Sequence, residues 1–277
     1  MIREIEDFGA KQIFENAATY AAVTILERSV SSQKQITYHG YRGEHMFTTH
    51  VPYERVRIQP GQPLVFGNDE EETFLTRVKA KPNALAAALS VQYGIATLRD
   101  KIYTSPPSDV EPGLLRPVVK APTYKGEAVT ARILFPYSPN QGRTTILPEE
   151  DLAARYPHGY AYLLANREEL EKRDRDKGSV WYAYGRSQGL GNINQEKLVV
   201  SHIIAPGQTL LRVHKLPATT VVYSGLFITA LPSGPSLDEL QTILQTEELC
   251  RFLTIHGKDM AGGYKSFTGK TLQQYRY

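Results

Sequence analysis

The sequence predicts an α+β fold, and three features carry that expectation. Between residues 36 and 137 the chain is a series of short runs rich in β-branched and aromatic residues, punctuated by Pro and Gly, as strands joined by turns are. Residues 148–175 instead carry helical spacing behind a proline and three acids. Past Trp181 strands return, and two helical segments follow near the C-terminus.

Residues 2–28 read as the end of an α/β unit. Ile5 and Phe8 belong to a short strand, and TYAAVTILE (19–27) to a second, buried one. Two strands without a crossover helix cannot bury a parallel sheet, so the remainder of that domain is expected elsewhere. SVSSQKQ (29–35) reads as a linker. Strands are expected in ITYHG, EHMFTTHV, PLVF, ALSVQYGIAT, DKIYT, LLRPVVKA and ARILFPY, with one helix in EEETFLTRVKA (70–80). Pro148 starts the next helix, and Glu149, Glu150 and Asp151 suit its positive N-terminal end. Pro157 breaks it. In the helix that follows, YAYLLANREELEKRDRD, Tyr160, Leu163, Leu164 and Leu170 share a face, and the charged second half is expected to be solvated. KLVVSHI, TLLRVHKL, TTVVYS and LFITAL read as strands. SLDEL and TEELCRFLTIHG read as a helical pair that stops at Gly257.

Composition narrows the function classes. Hydrophobic residues make up 41% and charged residues 22%, as in an ordinary globular protein. No apolar run approaches the roughly 20 residues of a membrane span. Acids within the first ten residues argue against a secretory signal. The single cysteine, Cys250, excludes an internal disulfide and a cysteine-based zinc site. A cytoplasmic location is expected. The net charge of +3 permits a locally basic face without requiring one. The 17 tyrosines suit base stacking and phosphate contact.

The common catalytic signatures are missing. GYKSFTGKT (263–271) resembles a P-loop, but five residues separate Gly263 from Gly269 where the phosphate cradle needs four. GRSQGLGNI (185–193) lacks the glycine order of a dinucleotide site and reads as a flexible polar loop. SPPS (105–108) is a proline turn, since Ser108 cannot stack on a base. The seven histidines show no metal-ligand spacing, and no metal site is expected.

Several segments, in order, resemble one family. IREIEDFGAKQIFENAATYAAVTILER (2–28) looks like the last stretch of a methylase domain. YGIATLRDKIYT (93–104) is similar to the G-I-x-T-x-x-D signature that opens a specificity region. LLRPVVKAPTYK (114–125) and ILFPY (133–137) follow. The run YPHGYAYLLANREELEKRD (156–174), then Trp181, Gly185-Arg186 and KLVV (197–200), completes the pattern, and the tail GGYKSFTGKTLQQYRY sits where such a module ends. The family is that of the TaqI-like N6-adenine DNA methyltransferases, including fused restriction–modification enzymes. Ala121 stands where the family commonly has glycine, so the loop after residue 120 is expected to be built differently.

The resemblance implies three parts: a methyltransferase tail in residues 1–30, a β-rich first part of the target-recognition region in 31–137, and a specificity domain in 138–277. It also implies that S-adenosylmethionine and the Asn-Pro-Pro-aromatic loop belong to an upstream methyltransferase domain or subunit, so that this chain alone methylates nothing. The expected partners are double-stranded DNA and that upstream part. No catalytic residue is expected here, but Phe14 takes the position that packs against an extruded base, or else is a core residue at a strand start. Base reading needs forked donors. The segment WYAYGRSQGLGNINQEK (181–197) supplies Arg186, Gln188, Asn192, Asn194 and, at its end, Lys197. Glycines 185, 189 and 191 would let it follow a groove, although a plain polar surface loop has the same composition. Thr97, Arg99 and Lys101 are further DNA-contact candidates, unless Asp100 pairs with its neighbours. Tyr41 and Arg42, between two glycines, form a candidate loop tip. Trp181 reads as a core anchor. Two other classes stay open: a protein-interaction subunit of a defence complex, and an independent hydrolase with a site assembled from distant residues.

Overall fold

The computed structural model describes residues 2–9, 11–16, 19–28, 35–42, 45–53, 66, 69–140 and 143–277. They form two units: Met1–Leu85 with Ile203–Leu210 and Glu247–Tyr277, and Ala86–His202 with Leu211–Thr246. Helices alternate with several small sheets, which is the α+β class expected.

In the first unit β1 (Ile2–Asp7), β2 (Ala22–Leu26), β3 (Gln35–Arg42) and β4 (His45–Pro52) make one sheet in the order β2-β1-β3-β4. β1 is antiparallel to β2 and parallel to β3, so the chain reaches its parallel neighbour by way of an edge strand. Ile5, Ile36 and Tyr38 bury one face. Tyr41, expected at a loop tip, lies inside β3 opposite Met46, because the β3–β4 pairing runs on to Arg42 opposite His45. The expected buried strand in 19–27 is corrected. All five residues of β2 are exposed, Leu26 at 69%. Among the described residues β2 is an edge strand whose apolar side chains stay exposed. The linker expected at 29–35 lies outside the described residues except for Gln35, and of PLVF only Phe66 is described. α1 (Asp69–Lys79) carries acids in its first turn and Arg77 and Lys79 in its last, which complements its dipole at both ends.

The chain continues through β5 (Leu89–Tyr93), α2 (Asp100–Thr104), β6 (Leu115–Lys120), β7 (Arg132–Leu134), β8 (Tyr137–Asn140), β9 (Arg143–Ile146), α3 (Glu149–Arg155), α4 (Pro157–Ala165), α5 (Arg167–Glu171) and β10 (Lys197–Val200). β11 (Ile203–Ile204) returns to the first unit, and β12 (Val213–Leu216), β13 (Val221–Tyr223), β14 (Leu226–Ala230) and α6 (Leu237–Leu244) complete the second. That unit holds an antiparallel sheet β12-β10-β14-β5, a sheet β13-β6-β7 and the hairpin β8-β9. DKIYT, read as a strand, is α2. Its Ile102 and Tyr103 are both buried, whereas adjacent residues of a half-buried strand face opposite sides. The expected long helix after Pro157 is two helices. They part at Asn166, whose Nδ2 donates to the Tyr162 carbonyl at 2.8 Å. The expected boundary between residues 137 and 138 runs through one core: Tyr137 packs on Tyr184, with ring centroids 5.0 Å apart.

α7 (Glu247–His256), β15 (Lys258–Met260), β16 (Tyr264–Ser266) and α8 (Gly269–Gln273) return to the first unit, where β16 lies between β11 and β15. The helical pair read in the sequence is therefore divided, α6 to one unit and α7 to the other. The C-terminus is tied down as an added strand partner, with Tyr277 and Asn83 exchanging backbone hydrogen bonds at 3.0 and 3.2 Å. Among the described residues no helix is long and apolar enough to cross a membrane, and no group of three or more His, Cys, Asp or Glu is placed to hold a metal.

Candidate nucleic-acid interface

The second unit is built on tyrosines that satisfy their hydroxyls internally. Tyr182 donates to the Leu147 carbonyl at 2.6 Å, Tyr184 to Leu134 at 2.7 Å and Tyr103 to Tyr182 at 3.0 Å. Burial pushes Tyr103 and Tyr182 up to about 12 and Tyr184 well above its ordinary value. Trp181 is the anchor expected, 6% exposed, with its indole N–H on Glu149 at 3.2 Å. Arg173, which sequence reasoning missed, is 5% exposed among these rings. It donates to the carbonyls of Leu170, Thr97, Trp181 and Ala183 and to the Tyr103 hydroxyl. Its place three residues after Leu170 in the helical pattern was the available signal.

This core holds two sequence-distant segments side by side. Gly185 and Arg186 donate their backbone N–H groups to Thr97 and Ala96 at 3.2 and 3.0 Å, and the Gln188 amide donates to Gly94 at 3.1 Å. Gly189 has φ +78, and a Cβ there would lie 2.4 Å from the Tyr93 carbonyl oxygen, so only glycine lets the loop press this closely. The loop is anchored rather than free. Between the segments opens a groove of about 550 Å³, lined among others by Tyr93, Leu98, Arg99, Gln188, His202 and Tyr223. Leu98 and Ser224, both lining it, have φ of 55° and 58°, the left-handed region that side chains avoid. Ala121, where a glycine was expected, is accommodated by Gly225, whose added Cβ would lie 2.4 Å from that of Ala121.

The candidate residues separate into groups. Arg186 is half-buried and ion-paired to Asp174, with Asp176 at 4.0 Å. Arg99 pairs with Glu169 at 3.0 Å. Lys101 and Gln188 are exposed. Asn192 is half-buried, its Oδ1 accepting from Gln195 at 3.4 Å. Asn194 is exposed but engaged, donating to Thr144 at 2.9 Å and accepting from Arg116 at 2.7 Å. Thr97 and Lys197 are corrected: both are 0% exposed. Thr97 gives its hydroxyl to Asp100, and Lys197 donates to the carbonyls of Ile193, Ala218 and Thr220 at 2.7, 3.3 and 3.0 Å. Asp100 turns to Thr97 and the Tyr223 hydroxyl instead of pairing with Arg99 or Lys101. Phe14 and Tyr41 lie in the other unit. Phe14 is 55% exposed, not a core residue. Tyr41 donates to Glu6 at 3.1 Å and stacks on Phe8. Arg42 closes β3, and its side chain lies outside the described residues.

The chain is similar to parts of two restriction–modification proteins. Over 151 residues the sequence is 24% identical to the type II restriction enzyme and methyltransferase RM.Eco57I of Escherichia coli, a match covering 51% of this chain and 15% of that protein. The fold matches MmeI, a type IIL restriction-modification enzyme whose structure was solved in complex with DNA, with a TM-score of 0.57 and 12% identity over 99% of this chain. It spans 34% of that MmeI chain, and at this identity the likeness is one of fold. No family model matches the sequence.

Proposed function

We propose that this chain recognises double-stranded DNA as the target-recognition part of an N6-adenine methyltransferase or restriction–modification enzyme. The observation that carries the reading is the convergence of the segment Tyr93–Asp100 with the glycine loop around Gln188 at one groove. Direct readout needs side-chain amides and guanidinium forks on a rigid mount. Gln188, Asn192 and Arg186 sit on such a mount, and Arg99 and Lys101 flank it. Two aspartates face Arg186, so its work is hydrogen bonding to a base edge rather than neutralising a phosphate.

Methyl transfer would be supplied by an upstream methyltransferase domain or subunit that binds S-adenosylmethionine. Two features of the first unit favour that partner. β2 lacks any cover among the described residues, and Phe14 stands exposed, free to pack on an extruded adenine. The length of the relatives, of which this chain spans only a part, accords with it.

The test is a competition between duplexes of different sequence. Arg186→Ala combined with Asn192→Ala should flatten the preference of the chain while leaving much of its general affinity. Relative affinities unchanged from those of the native chain would count against the glycine loop as the reading surface.

A further inference from the structure

The second unit holds a half-buried arginine, Arg116, seated over an aromatic ring. Arg186 and Arg99 have carboxylate partners. Arg116, on β6, has none among the described residues, and neither does its neighbour Lys197. The Lys197 ammonium spends itself on three carbonyls. The Arg116 guanidinium carbon sits over the Phe135 ring, 3.9 Å from its centroid, and Nη1 donates to the Asn194 Oδ1 at 2.7 Å. Thr144 takes the Asn194 amide N–H at 2.9 Å and so fixes which way that amide faces. Nε and Nη2 are left without a protein acceptor, and neither is sealed from solvent. Burial holds Arg116 below its ordinary pKa, and burial, with a smaller contribution from the adjoining Arg116 charge, lowers Lys197 to about 8. Two like charges, partly desolvated and with no internal counter-ion, call for an external anion.

We propose that Arg116 is a phosphate-binding residue that takes a phosphodiester of the duplex backbone, with Asn194, Thr144 and Phe135 as its positioning residues. This rests on the DNA reading above. It also reassigns Asn194, whose amide orients Arg116 and is not free to read a base. A stacked guanidinium with one edge pinned presents its other edge ready-made to two phosphate oxygens, at little entropic cost.

The experiment measures how the affinity of the full chain for a random-sequence duplex changes with salt. Each phosphate neutralised contributes about 0.9 to the slope of log K against log salt. Arg116→Gln should lower the slope by about 0.9, and Arg116→Lys should keep it. Asn194→Asp is nearly isosteric and supplies an internal counter-ion, so it should lower the slope by a similar amount in a chain that still folds. An unchanged slope in both Arg116→Gln and Asn194→Asp overturns the proposal, as does a change in which sequences Arg116→Gln prefers. If the native chain binds no duplex even at low salt, the DNA reading fails separately. The site is then judged with inorganic phosphate alone, against chloride at equal ionic strength. A rise in melting temperature lost in Arg116→Gln supports it; an equal response in both chains overturns it.

Discussion

Lys197 and Arg173 lie in the segment where basic residues are most readily taken for DNA contacts, yet both turn inward to backbone carbonyls. A one-dimensional pattern records a cation at a given spacing, not whether it faces phosphate or protein. The same blindness affected Thr97, whose hydroxyl serves Asp100. The exposure of Gln188 and Lys101 was legible, because glycine-rich and turn-adjacent positions tend to stay at the surface, whereas Arg186 is half-buried and paired to Asp174. Arg116 was overlooked because what distinguishes it, its seat over Phe135 and its bond to Asn194, only coordinates show. Arg173 offers a test at this scale. Its removal would strand several buried carbonyls, so Arg173→Ala should lower stability by about 3 kcal/mol in urea unfolding. A loss within about 0.5 kcal/mol of zero would show that those hydrogen bonds do not hold the module together.

Among the elements, the sequence made most strands and the acid-led helices plain, because period and caps act locally. It failed where tertiary contacts decide. DKIYT alternates like a strand but coils into α2 under Asp100, which gathers the hydroxyls of Thr97 and Tyr223. The run 19–27 was apolar enough to be read as buried, and what would bury it does not come from the described residues. The buried tyrosines Tyr103 and Tyr182 make a prediction about pH. Below pH 10 these phenols are protonated in both folded and unfolded chains, and their contribution to stability is complete. As pH rises past the ordinary value of 10.0, the unfolded chain ionises first, since Tyr103 and Tyr182 titrate at about 12 when folded. Stability should therefore fall between pH 10 and 12, with tyrosinate absorbance from these residues appearing together with loss of near-ultraviolet circular dichroism. Full ionisation near pH 10 with the fold intact would mean that the phenols are not buried as described.

For the whole molecule, a net charge of +3 is too small to drive DNA binding by bulk attraction. On the proposed reading, recognition comes from placement: the amides and guanidinium of the glycine loop for base edges, and Arg116 for the backbone. The order of motifs along the chain was readable from sequence, but their meeting was not, since Tyr93–Asp100 and the glycine loop are joined only through the folded core. The most direct measurement is selection of duplexes from a random pool by the full chain, at low and at near-physiological salt. Convergence on one sequence, with affinity that falls as salt rises, is the predicted result. Even recovery of all sequences, or binding indifferent to salt, would contradict it.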